Sequence, residues 1–101
     1  MANSSENTSE NRSAAAEPGP LELLSTARAR LTELTGMEAE SVSSFVKRED
    51  GWLLEVEVLE VPRIPATTSL LGTYEVTLDA RGELTGYRRI HRYERGRADH
   101  R

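Results

Sequence analysis

The chain of 101 residues has room for one domain, and with 37% apolar and 30% charged residues its composition is that of a small globular protein. It contains no Cys, which excludes a disulfide framework, a thiolate metal site and a cysteine nucleophile and suits a reducing, cytoplasmic setting. No basic segment followed by an apolar core opens the sequence and no apolar run approaches the roughly 18 residues of a spanning helix, so neither a secreted precursor nor a membrane protein is expected. The net charge of -4 is unevenly divided: residues 1–80 hold 6 basic and 14 acidic side chains (-8), and residues 81–101 hold 7 basic and 3 acidic (+4).

Residues 1–20 offer no large apolar side chain after Met1, so burial cannot repay the entropy of ordering them and a disordered tail is expected. Beyond Pro18 and Pro20, Leu21, Leu24, Ala27, Leu31 and Leu34 recur at three- and four-residue steps, the pattern of an amphipathic helix, and Gly36 is placed to stop it in the left-handed conformation. After Gly36 the period changes to two. A three-residue loop at Glu49-Asp50-Gly51, with positive φ at Gly51, would set Val46 opposite Leu54, Ser44 opposite Val56 and Val42 opposite Val58.

Pro62 and Pro65 lack the amide donor that a central strand needs, which makes residues 61–69 a loop. A second hairpin around Ala80-Arg81-Gly82 would set Leu78 opposite Leu84, Thr77 opposite Thr85 and Glu75 opposite Tyr87. The sequence thus predicts an α+β domain over residues 21–96: one N-terminal helix packed on a four-stranded antiparallel meander, with residues 97–101 frayed. The face toward the helix would hold Val42, Val46, Leu54, Val56, Val58, Tyr74, Val76, Leu78, Leu84 and Ile90, and the other face would be mostly polar.

Candidate chemistry is sparse. Glu55 and Glu57 share a strand face without an accompanying His or Asp-rich loop, and His91 and His100 are the only imidazoles. No nucleophile elbow, phosphate loop or His pair at metal spacing is present, so no catalytic residue, metal or cofactor is expected. Tyr87, Arg89, His91 and Tyr93 alternate on what would be one outer face, an arrangement that single-stranded nucleic acid could use. Glu55, Glu57 and Glu75 are expected on that same face, where they would repel phosphate and instead pair with the arginines.

Phe45 and Leu53 are expected on the outer face too, where with Tyr87 and Tyr93 they would form an apolar docking patch. Trp52 would stand opposite Arg48, with the cation over its ring. In the loop, Pro62 and Pro65 would stiffen the chain, Ile64 would pin it to the edge of the core, and Arg63 would be free for a carboxylate, with Glu60 as the nearby competitor.

Taken in order, Gly51-Trp52, the Glu-rich strand ending at Glu60, Arg63-Ile64-Pro65, Tyr74-Glu75-Val76, Asp79 with Gly82, Tyr87-Arg88-Arg89 and Arg92-Tyr93 closely resemble the gas vesicle protein O family, over about residues 21–96. Ala66 stands where that family commonly has an acidic residue, and Gly72 where it often has Ala. The resemblance implies a non-enzymatic, cytoplasmic accessory protein of gas vesicle formation that binds other vesicle proteins during assembly. Within it Arg63, Ile64, Phe45, Leu53, Tyr87, Arg89 and Tyr93 are the candidate partner contacts. Gly51, Trp52, Tyr74 and Gly82 are the candidate structural positions.

Overall fold

The computed structural model describes residues 18–100, so all of the expected tail except its last three residues lies outside the described part. Helix α1 spans Pro20–Thr35 and is followed by strands β1 (Glu38–Arg48), β2 (Gly51–Val61), β3 (Leu70–Asp79) and β4 (Leu84–Glu94), with short 3-10 turns at Ala66–Thr68 and Arg95–His100. The strands form one antiparallel sheet in the order β1-β2-β3-β4. This is the α+β architecture read from the sequence.

Pro20 opens α1, where its missing amide hydrogen costs nothing, and Gly36 closes it at φ 74° with its N–H on the Thr32 carbonyl at 2.8 Å. The buried stripe is Leu23, Ala27 and Leu31, with Leu24 partly buried beside it. Leu21 and Leu34, assigned to that stripe from their spacing, are exposed. Steps of four from Leu23 follow one ridge of the helix, and Leu21 and Leu34 fall outside it, each within two residues of a helix end.

The helix crosses the sheet corner to corner. At its start, Pro18 and Leu23 lie against Gly82 in the β3–β4 turn. Toward its end, Arg28 donates from Nε and Nη2 to the Ala39 carbonyl at 3.3 and 3.2 Å, and Ala39 N–H reaches Thr32 Oγ1 at 3.3 Å. Leu54, Val56, Val58, Val76 and Leu78 are fully covered between helix and sheet, each such side chain contributing about 1.5–3 kcal/mol of apolar burial.

Two corners on the helix side are left for side chains to close. One, at the β1–β2 hairpin, holds Phe45, Lys47 and Trp52. The other, where β2 and β4 end, holds Glu60, Tyr74, Arg89 and Arg92.

The first hairpin turns in two residues, Glu49-Asp50, so that Arg48 pairs with Gly51. A Cβ on Gly51 would stand 1.8 Å from the Leu78 carbonyl oxygen, so it is the closeness of β3 that requires glycine here. Extra residues at Glu40 and Ser43 then bulge β1. Together these shift the expected register: Phe45 faces Leu54 on the helix side, Val42 faces Val56, and Val46 faces Leu53 on the outer side.

The second hairpin keeps the expected Leu78–Leu84 pair, but Thr85 is extra, so Thr77 faces Gly86 and Glu75 faces Arg88. A further bulge at Ile90 reverses the alternation of β4. Tyr87 and Arg89 therefore face the helix side with Val76 and Tyr74, whereas His91 and Tyr93 face outward with Thr73 and Leu71. Both exposed edges of the sheet are bulged, which discourages pairing with a further strand.

Candidate docking surface

The link between β2 and β3 is held from within. Ser69, buried at its base, accepts the Arg63 N–H on Oγ at 2.9 Å. Thr68 donates through both N–H and Oγ1 to the Pro65 carbonyl at 2.9 and 2.8 Å, and Ser69 N–H reaches Ala66 O at 3.0 Å. From β4's end, Arg95 N–H bonds the Ser69 carbonyl at 2.9 Å. With Pro62 and Pro65 fixing φ on either side, the loop carries Arg63 and Ile64 outward, and Ile64 is 99% exposed. It does not pin the loop to the core, because the Ser69 hydroxyl and the 3-10 turn do so instead.

Glu60 is not the partner of Arg63. It is the extra residue of a bulge near the end of β2, and it lies over Gly72, where a Cβ would come within 2.5 Å of Glu60 Oε2. Its side chain is only 4% exposed. Tyr74 donates its hydroxyl to Oε2 at 2.6 Å and Arg89 Nε donates to Oε2 at 3.0 Å, while Arg92 forms an ion pair, its Nε 3.0 Å from Oε1.

Burial by itself pushes the Glu60 carboxyl pKa up, but the Tyr74 hydroxyl and the two guanidiniums outweigh it and hold the group below the ordinary carboxylate value. The Tyr74 phenol is raised, first by burial and then by the carboxylate it bonds. The Arg89 guanidinium is raised chiefly by its bond to Glu60. Tyr87 packs against this group, its ring centroid 6.3 Å from that of Tyr74.

The outer face has its own carboxylate center. Glu57 accepts hydrogen bonds from Ser43 Oγ at 2.6 Å, Thr73 Oγ1 at 2.7 Å and Tyr93 OH at 2.5 Å. These groups line a shallow depression of about 440 Å³ with Glu55 and His91. Arg88 pairs with Glu75 at 3.0 Å, and Arg95 reaches across the sheet to Glu40 at 2.7 Å. Among the described residues no set of three or more His, Asp or Glu side chains is arranged to hold a metal ion, and none of the helices is long and apolar enough to cross a membrane.

The expected sites are therefore redistributed. Phe45 and Leu53 lie on opposite faces of the sheet, as do Tyr87 with Arg89 and Tyr93, so no single patch joins them. The row of Tyr87, Arg89, His91 and Tyr93 proposed for nucleic acid is broken by the Ile90 bulge. Over Trp52 stands Lys47, with Nζ 4.7 Å from the ring centroid, in place of Arg48. Gly82 lies against the helix start and Tyr74 in the core.

The Glu60 cluster itself escaped the sequence reading. The available signal was a carboxylate continuing the apolar face of Trp52, Leu54, Val56 and Val58 at the next even position.

Residues 5–99 match the family model of the gas vesicle synthesis protein GvpO. Gas vesicle protein O of Streptomyces sp. (strain CB03234) is 67% identical over 82 residues, covering 81% of this chain and 64% of that protein. Gas vesicle protein O1 of Halobacterium salinarum is 37% identical over 70 residues (69% and 59% of the two chains), and gas vesicle protein O of Haloferax mediterranei 41% identical over 71 residues (69% and 51%). The matches span between about half and two thirds of the length of these relatives. No solved structure matches the chain. On this evidence the chain belongs to the gas vesicle synthesis protein GvpO family.

Proposed function

We propose that this protein acts in gas vesicle formation by binding other gas vesicle proteins during assembly, without catalytic turnover, and that the Arg63-Ile64-Pro65 loop is its principal contact. Holding a subunit, nucleating the vesicle and regulating its growth are all roles that such binding can serve. The observation that carries the reading is the placement of Ile64, 99% exposed at the tip of a loop whose backbone is fixed by Ser69 and Pro65.

An isoleucine held in water by a rigid frame contributes nothing to folding, yet its burial against a partner would stabilise a complex by about 1.5–3 kcal/mol. Because the loop is already ordered, little entropy is lost on docking. Arg63 beside it has no carboxylate partner among the described residues and is available for one on the bound protein.

The test is affinity capture by the full chain from cells that express the vesicle proteins. Ile64→Asp should cut the captured vesicle protein about tenfold or more, and Arg63→Ala by a smaller factor, with the melting temperature unchanged in both. Equal capture by the folded Ile64→Asp variant would remove the loop from the interface.

A further inference from the structure

We propose that Arg89 and Arg92 form a two-pronged site for neighbouring carboxylates of an acidic segment on the bound protein, with Glu60 as the residue that positions them. This rests on the reading that the protein works by binding other proteins. The starting observation is a mismatch in pairing. The other cations of β4 and the turn after it each have their own carboxylate: Arg88 with Glu75, Arg95 with Glu40 and Arg97 with Glu94. Arg89 and Arg92 share one, Glu60, which leaves a surplus positive charge at this corner.

The backbone brings the two together. Residues three apart on a regular strand point to opposite faces, but the extra residue Ile90 puts Arg89 and Arg92 on the same side, opposite Tyr74 and Gly72. Arg89 donates from Nε to Glu60 Oε2 and Arg92 forms an ion pair with Oε1, its Nε 3.0 Å away, so both guanidiniums are held beside the one carboxylate while their remaining N–H donors outnumber its acceptor sites. The side chains are 46% and 45% exposed. Glu60 is held in turn by the Tyr74 hydroxyl and rests on the space that Gly72 leaves.

Two oriented forks match planar carboxylates, which accept paired N–H bonds. A nucleic acid is a poorer match: its affinity comes from neutralising many phosphates, whereas the surplus here is one charge on a protein of net charge -4 that carries Glu55, Glu57 and Glu75 on the other face of the sheet.

The experiment follows the arginine Nε–H NMR signals of the full chain during titration with a synthetic decaglutamate peptide and, separately, with a ten-nucleotide thymidine oligomer, at about 20 mM salt, where screening is weak. The expected result is a saturable shift of the Arg89 and Arg92 signals by the peptide, with the oligomer binding at least about fivefold more weakly. Arg89→Lys and Arg92→Lys keep the charge and lose the fork, and each should weaken peptide binding about fivefold or more. Glu60→Gln raises the net charge yet frees both arginines, so binding should weaken; a site that reads charge alone would bind more tightly.

No saturable shift, lysine variants that bind like the parent, or an oligomer that binds as tightly as the peptide each overturn the proposal, and the two lysine variants decide it if Glu60→Gln does not fold. If decaglutamate fails while Ile64→Asp still abolishes capture, only this site is lost. If decaglutamate binds as expected while Ile64→Asp captures normally, the loop assignment is lost instead.

Discussion

Within five residues the chain inverts the usual rule of burial: Glu60 is tucked away with 4% of its side chain exposed, and Ile64 is 99% exposed. The carboxylate can be inside because every one of its demands is met, by a hydroxyl, two guanidiniums and the gap above Gly72. The isoleucine can be outside because its loop is held by Ser69 and two prolines and does not need the side chain as an anchor. The first arrangement belongs to stability and the second does nothing for it. A single exposed apolar side chain is ordinary in itself, so what distinguishes Ile64 is the fixed loop that carries it, the basis of the contact proposed above.

The contrast can be broken by measuring what each part contributes to folding. The benchmark is the ordinary core: Leu54→Ala, under the middle of the helix, should cost about 3 kcal/mol, within the range for buried leucines. Glu60→Gln should come next, at about 2 kcal/mol, because it removes a charge that two arginines and a tyrosine are arranged around, although the half-exposed arginines regain water. Thermal unfolding should show a fall of roughly 10 °C for a domain of this size. A fall of only a degree or two would mean that Glu60 behaves as a solvated surface pair and that the inversion is superficial.

Acid sharpens the same point. The folded-state pKa of Glu60 lies below its ordinary value of 4.5, so the stability it supplies is complete above that value and is lost as pH falls through the lowered folded pKa. Asp79 is shifted the same way, chiefly by accepting the Glu83 N–H in the turn, and it adds to the acid loss in both proteins. The gap in stability between parent and Glu60→Gln should therefore be constant near neutrality and narrow in the acid range. A gap independent of pH down to acid unfolding would assign the stabilisation to shape instead of charge.

Much of this was legible in the sequence. The change of period after Gly36, the two turns and the two prolines were enough for the helix, the four strands and the loop, because each is a local signal. What escaped was the set of single extra residues, Glu40, Ser43, Glu60, Thr85 and Ile90. A bulge leaves no mark in the hydrophobic pattern, yet each one turns the following side chains to the other face. That is why Tyr87 and Arg89 appear on the helix side, and why Glu60 meets arginines on β4 and not the nearby Arg63, whereas Phe45 is there because the first turn is one residue shorter than expected. Arg63 and Ile64 do lie on the loop that the sequence marked, because loop residues are placed by prolines and not by register, although Ile64 is exposed instead of anchoring the loop.

The smallest effects bear on the loop. Ser69 is buried, and its hydroxyl is the acceptor for the Arg63 N–H, so Ser69→Ala should cost about 1 kcal/mol, the value of one hydrogen bond left without a partner. It should also reduce capture of vesicle proteins even though no exposed atom has changed, since a loop that moves must be ordered again on binding. Ile64→Ser should leave the melting temperature within about 3 °C, because surface changes away from any structural contact stay within about ±0.5 kcal/mol. Fast amide exchange at Arg63 in Ser69→Ala, beside unchanged slow exchange in Ile64→Ser, would separate the frame of the loop from its tip. If Ile64→Ser instead lowers stability by more than about 1 kcal/mol, the side chain is packing against something and its exposure is not what fits it for a partner.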